Sequence, residues 1–230
     1  MTAALVLVVG QMPFASSAFE YGKLRSFEGV VVTRPFPTLL VGRPGEVGQQ
    51  DKYSRYLLVA PGKHGADDVV ATFDGKQVRL QGQLIYRKGG TMVEITPGSI
   101  TVVDTMPGEQ ETTRDLGAVT VTGEIVDSKC YLGVMNPGHG KVHRDCAARC
   151  LSGGIPPIFV AADAHETFLL VGSDGRALGR DALREFVAEP ITIRGELLQQ
   201  GESQLLRIDA RTLHHSPNRI EATLGSESQN

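Results

Sequence analysis

Slid along itself by 113 residues, this sequence repeats its own pattern, and that self-likeness constrains the fold more than any single motif. Asp68–Phe73 lies on Asp181–Phe186, Val78–Ile85 on Ile191–Leu198, and Met92–Ile95 on Leu205–Ile208. With a one-residue slip Tyr56–Val59 falls on Phe168–Val171, and further upstream Phe27–Val32 resembles Val121–Val126. Identities are few. What recurs is apolar pattern, glycine position and order, so each half reads as strand, insert, strand, short helix, strand, glycine hairpin, strand. Asp67-Asp68 and Asp181 are the expected helix caps, with Leu183, Phe186 and Val187 sharing one face in the second half. Gly82 and Gly195 interrupt strand patterns, where glycine marks a bulge or a sharp bend. The hydrophobic set is 41% of the chain and charged residues 21%, enough apolar surface for a core. Val, Leu and Ile dominate over aromatics (6%, no Trp), and 27 Gly with 12 Pro suit short strands and tight turns.

A glycine-bent first strand, a short helix before the last hairpin and a unit of about 90–100 residues resemble the small OB-like barrel, in which closure removes sheet edges. The expected fold is therefore mainly β: two tandem OB-like small β-barrel units, each with a short helix, after an N-terminal apolar anchor. The expected boundaries are an anchor or signal remnant at 1–22, a first unit at 23–104, a linker at 105–118, a second unit at 119–216 with an insert at 127–158, and a polar tail at 217–230. Barrels of this kind often bind single-stranded nucleic acid through aromatics in a basic groove. Here 23 Lys and Arg face 26 Asp and Glu, for a net charge of −3, and no aromatic–basic interleaving is present. A nucleic-acid partner is thus disfavoured.

No charge occurs before Glu20, and Ala3–Phe14 is almost wholly apolar. This segment lacks the basic start of a secretory signal and is shorter than the ~20 apolar residues of a spanning helix. It is read first as the outer end of a longer transmembrane helix with Ala15–Ala18 as its exit, second as a signal cleaved after Ala18, and third as a buried strand. The expected location is membrane-anchored and extracytoplasmic, periplasmic or at the cell surface.

All three cysteines, Cys130, Cys146 and Cys150, fall in the insert of the second unit. The corresponding interval of the first, read as running from Thr33 through Gly45 and onward, has no metal-ligand set. His143–Leu151 is rich in helix formers and is stopped by Gly153-Gly154 and Pro156-Pro157. On such a helix His143, Cys146 and Cys150 project from one face, and Cys130 arrives from the end of the unit's first strand. Three thiols and an imidazole suit tetrahedral Zn(II); thiolates also bind Cu(I), with His139 and Met135 as additional candidate ligands. Two other readings stay open. A disulfide from Cys130 to Cys146 or Cys150 would pin the loop and leave one thiol over. A redox-active thiol would draw on Arg144, Arg149 and His143. Covalent haem attachment is excluded by the absence of a C-x-x-C-H motif, whereas non-covalent haem with His143 or a cysteine as axial ligand stays open. His214-His215, His64 and His165 carry no comparable pattern.

The segments Gly123–Cys130, Gly140–Cys150 and Gly153–Pro157 together resemble a stretch of about 35 residues in uncharacterised bacterial exported or membrane-anchored proteins. That likeness implies Cys130, His143, Cys146 and Cys150 as the site and leaves the ligand open. Nucleophile elbow, phosphate loop and paired-carboxylate patterns are all lacking, so the chain reads as a non-enzyme more than an enzyme. The function expected is a membrane-tethered metal or metal-cofactor binder, such as an accessory or electron-transfer subunit of a membrane complex. The alternatives are an interaction module with a disulfide-pinned loop and a thiol oxidoreductase.

Overall fold

Alternation along β5 (Gln77–Arg87) explains how one strand serves two cores. Val78 and Leu80 are buried in the first unit's interior while Arg79 and Gln81 are exposed; beyond Gly82, Ile85 is buried in a different apolar cluster. β11 (Ile191–Gln200) repeats this, with Ile191 and Ile193 in the second unit's interior and Leu198 in another cluster. The change of side occurs at a glycine because the neighbouring strand comes too close for a side chain. A Cβ on Gly82 would stand 2.6 Å from the Glu94 carbonyl oxygen, and one on Gly195 would stand 2.6 Å from that of Arg207.

The computed structural model describes residues 17–43, 53–104, 112–162, 166–179 and 181–215. The protein is mainly β, with one closed five-stranded barrel and a second sheet. In the sheet, β2 (Arg25–Val32) pairs with β3 (Thr38–Gly42) and β5, and β3 pairs with β4 (Tyr53–Val59). β4 runs parallel to β6 (Gly90–Ile95), which returns antiparallel to β5. In the barrel, β8 (Thr113–Asp127) pairs with β9 (Pro157–Ala161) and β11, β9 with β10 (Thr167–Gly172), and β10 runs parallel to β12 (Ser203–Ile208), which returns to β11. The pairing scheme is the same in both, and so is the register: Leu57↔Met92 corresponds to Leu169↔Leu205, and Phe27↔Leu80 to Val121↔Ile193. β1 (Ala18–Phe19) and β7 (Thr101–Asp104) add to β5.

Several expectations change. The first unit's helix α1 (Asp67–Val70) starts from Ala66, and Asp67 and Asp68 lie in its first turn, where the helix dipole favours acid, without a side-chain cap bond. At the matching place in the second unit the chain forms a 3₁₀ turn at Arg184–Phe186. Val187 bridges to Ile125 and the Ala188 N–H donates to the Ile125 carbonyl, which draws the chain onto β8 before a helix can extend. Thr113–Gly117, linker by composition, belongs to β8 because it pairs with β11. The interval from Thr33 is no single insert, since Thr38–Gly42 is a strand. Residues 1–16 and the tail from 216 fall outside the described residues, and among the described residues no helix is long and apolar enough to cross a membrane.

The seam between the two units is reciprocal. On the first, Val59, Ile85 and Met92 are covered by Tyr131, Leu132, Cys150 and Ile155 of the second unit's insert. The positions matching them by register, Val171, Leu198 and Leu205, are covered by Phe36 from the first unit's turn at 33–37.

Candidate metal centre

The site is assembled where β8 ends. Asp127 Oδ1 accepts the backbone N–H of Cys130 at 2.8 Å, capping a helical turn that continues as a π turn over Cys130–Val134. The chain returns through a 3₁₀ turn at Lys141–His143 into α2 (Arg144–Ser152), on which Cys146 and Cys150 stand one turn apart. Gly153, just beyond α2, has the Lys63 carbonyl against the position a Cβ would take, and its own carbonyl accepts the Gly65 N–H at 2.9 Å. The glycines that stop the helix thus also let the first unit's loop lie against it.

The sulfurs of Cys130, Cys146 and Cys150 offer ligand positions all within 4.8 Å of one another, and the cysteines are free thiols. Cys130 Sγ and Cys146 Sγ are 3.9 Å apart. Two thiolates on one tetrahedral Zn(II), each at about 2.3 Å, would be separated by about 3.8 Å. Cys130 and Cys150 are buried and Cys146 half-buried. Cys130 donates its proton toward Cys150, which together with burial and the Asp127 charge pushes its own pKa up. Cys150, receiving that hydrogen bond and lying near the Lys63 ammonium, is held below the usual thiol range. Lys63 Nζ lies 2.7 Å from Cys146 Sγ and 3.7 Å from Cys150 Sγ, and the contact with Cys146 raises the lysine's pKa.

His143 belongs to a second cluster, with Asp127 and Cys130, that shares Cys130 with the first. Its Nε2 lies 2.7 Å from Asp127 Oδ2, both side chains fully buried. The Asp127 carboxylate accepts a hydrogen bond from Nε2–H and so orients the ring, and Nδ1 lies 2.9 Å from Met135 Sδ. The three thiols with His143 beside them could hold a metal ion. Met135 stands at the edge of the group, 40% exposed. His139 stands apart: it is half-exposed, with Nδ1 3.3 Å from Glu124 Oε1. His215 packs on Phe186 and bridges to Ile191, His64 accepts the Ala60 N–H through its carbonyl, and His165 lies outside the described residues.

Two participants escaped sequence reasoning. Asp127, at the strand end just before a helical turn, is legible in retrospect as a cap. Lys63 is not, because nothing local links a turn lysine in the first unit to thiols in the second. Beside the site Lys129, 3% exposed, binds Glu94 Oε2 at 2.5 Å and the carbonyls of Ala60 and Gly62 at 2.9 and 2.7 Å. All three ammonium protons are therefore used across the seam. No protein-family model, curated protein or solved structure matches the chain.

Proposed function

We propose that this chain is a membrane-tethered, extracytoplasmic protein of two OB-like barrels that holds one thiophilic metal ion through Cys130, Cys146 and Cys150, with His143 as the fourth ligand. The observation that carries this reading is the convergence of three free thiols, two of them 3.9 Å apart, beside a histidine whose other nitrogen is fixed by a buried carboxylate. Zn(II) suits the Cys3His set best, and Cu(I) is the alternative. The OB-like assignment draws on the shared ring of pairings with a helical turn between the third and fourth strands. The tether draws on the uncharged apolar segment before Glu20. With no catalytic motif and two binding-sized units, an accessory or electron-transfer role in a membrane complex fits best.

Elemental analysis with thiol titration on protein from its native compartment tests the metal. One equivalent of metal, lost in Cys146→Ser, is the expected result. Metal-free protein with a single titratable thiol would instead establish the disulfide-pinned interaction module. A second reading, thiol oxidoreductase, rests on Lys63 beside Cys146 and on the lowered pKa of Cys150. Under it the metal-free protein turns over a small disulfide at the expense of a dithiol, and Cys150→Ser abolishes that turnover. A metal-loaded protein without such turnover sinks it.

A further inference from the structure

On another part of the seam lies a cleft of about 300 Å³, bordered by Arg55, Arg87 and Thr91 of the first unit and Ser128, Glu202 and Gln204 of the second. Buried polar groups in native proteins are nearly always hydrogen-bonded, so an exception needs an explanation. Among the described residues two buried side-chain N/O atoms lack a partner, Arg87 Nε and Ser128 Oγ, and both residues border this one cleft. Ser128 is completely buried. The Arg87 guanidinium stacks over the Tyr131 ring at 4.2 Å, and among the described residues no carboxylate pairs with it. Glu202 is engaged by Arg43. Arg55, on the same border, donates from Nη2 to Gln200 Oε1 at 3.3 Å, and burial pulls its pKa down to about 10.

We infer that this cleft binds the carboxylate of a small organic acid, with Arg87 and the Ser128 hydroxyl as donors to its oxygens. A stacked guanidinium presents a planar fork that matches a carboxylate, and the hydroxyl supplies one more donor. The neighbouring Leu132, Ile158 and Leu169 give a short carbon chain an apolar wall, which a bare phosphate would leave unused. The inference does not pass through the thiols and survives a failure of the metal reading.

Succinate and inorganic phosphate are titrated into the full chain by calorimetry, and by thermal melting against sodium chloride at equal ionic strength. Succinate is expected to bind at one site and raise the melting temperature. Arg87→Met, which keeps an unbranched apolar stem and removes the guanidinium, should weaken binding about ten- to a hundred-fold. Ser128→Ala should bind several-fold more weakly, yet melt no lower than wild type when free, because it removes an unsatisfied hydroxyl. Binding of phosphate alone overturns the carboxylate assignment. Absence of any response beyond sodium chloride, or wild-type binding by both variants, overturns the site.

Discussion

The two units join the same strands in the same register, yet connect their first and second strands in opposite ways. The first uses the turn at 33–37, which places Phe36 on the second unit; the second uses the insert at 128–156, which places an apolar face and three thiols on the first. A short turn delivers one side chain and can do no more than pack. A long connection has room for its own helix, and the helix face not needed for packing becomes available for chemistry. The added site is therefore no appendage of one unit. It sits on the seam, and the other unit contributes Lys63 to it.

The largest expected effect tests whether the seam makes one folding unit. Lys129→Met strands Glu94 and two carbonyls in a buried setting, and should cost about 3–5 kcal/mol, or a fall of about 10 °C in melting temperature. A small loss, or a new biphasic transition, would mean that the units are held by apolar packing alone. The next effect probes their equivalence. Gly82→Ala and Gly195→Ala each force a Cβ against the matching carbonyl and should each cost about 1–3 kcal/mol by urea denaturation. A neutral result at one position beside a large loss at the other would break the correspondence between the two units.

The remaining two sharpen what the insert adds. Asp127→Asn removes the charge that fixes His143 and should weaken zinc binding about ten- to a hundred-fold in a chelator competition. Unchanged affinity would remove His143 from the ligand set. Lys63→Gln should weaken the same binding by only about two- to five-fold, since the ammonium is largely solvated and screened. An effect as large as that of Asp127→Asn would make the first unit an equal contributor to the site.

Much of this was legible locally. The glycines at 82 and 195, the slip between Tyr56–Val59 and Phe168–Val171, and the helix bearing Cys146 and Cys150 all reappear in the structure, because each expresses a short-range rule of strand, hairpin or helix geometry. The short helix expected after Asp181 is reduced to a 3₁₀ turn at Arg184–Phe186, because the bridge from Val187 to Ile125 joins residues far apart in sequence. Helix spacing put His143 with Cys146 and Cys150, and left His139 as an additional candidate in the glycine-rich loop. The structure holds His143 against Asp127, next to Cys130, and His139 against Glu124.

The sequence by itself determined that the chain repeats a β unit and that its three thiols lie in one insert of one copy. Periodicity and spacing are properties of neighbouring residues and can be read along a line. Only the tertiary structure decided that the insert packs on the opposite unit, that Lys63 and Lys129 bind across the seam, and that Arg87 and Ser128, whose Nε and Oγ have no hydrogen-bond partner among the described residues, border one cleft. These depend on how the two units dock, and docking is set by the summed burial of Val59, Ile85, Met92 and their counterparts, which no local pattern specifies.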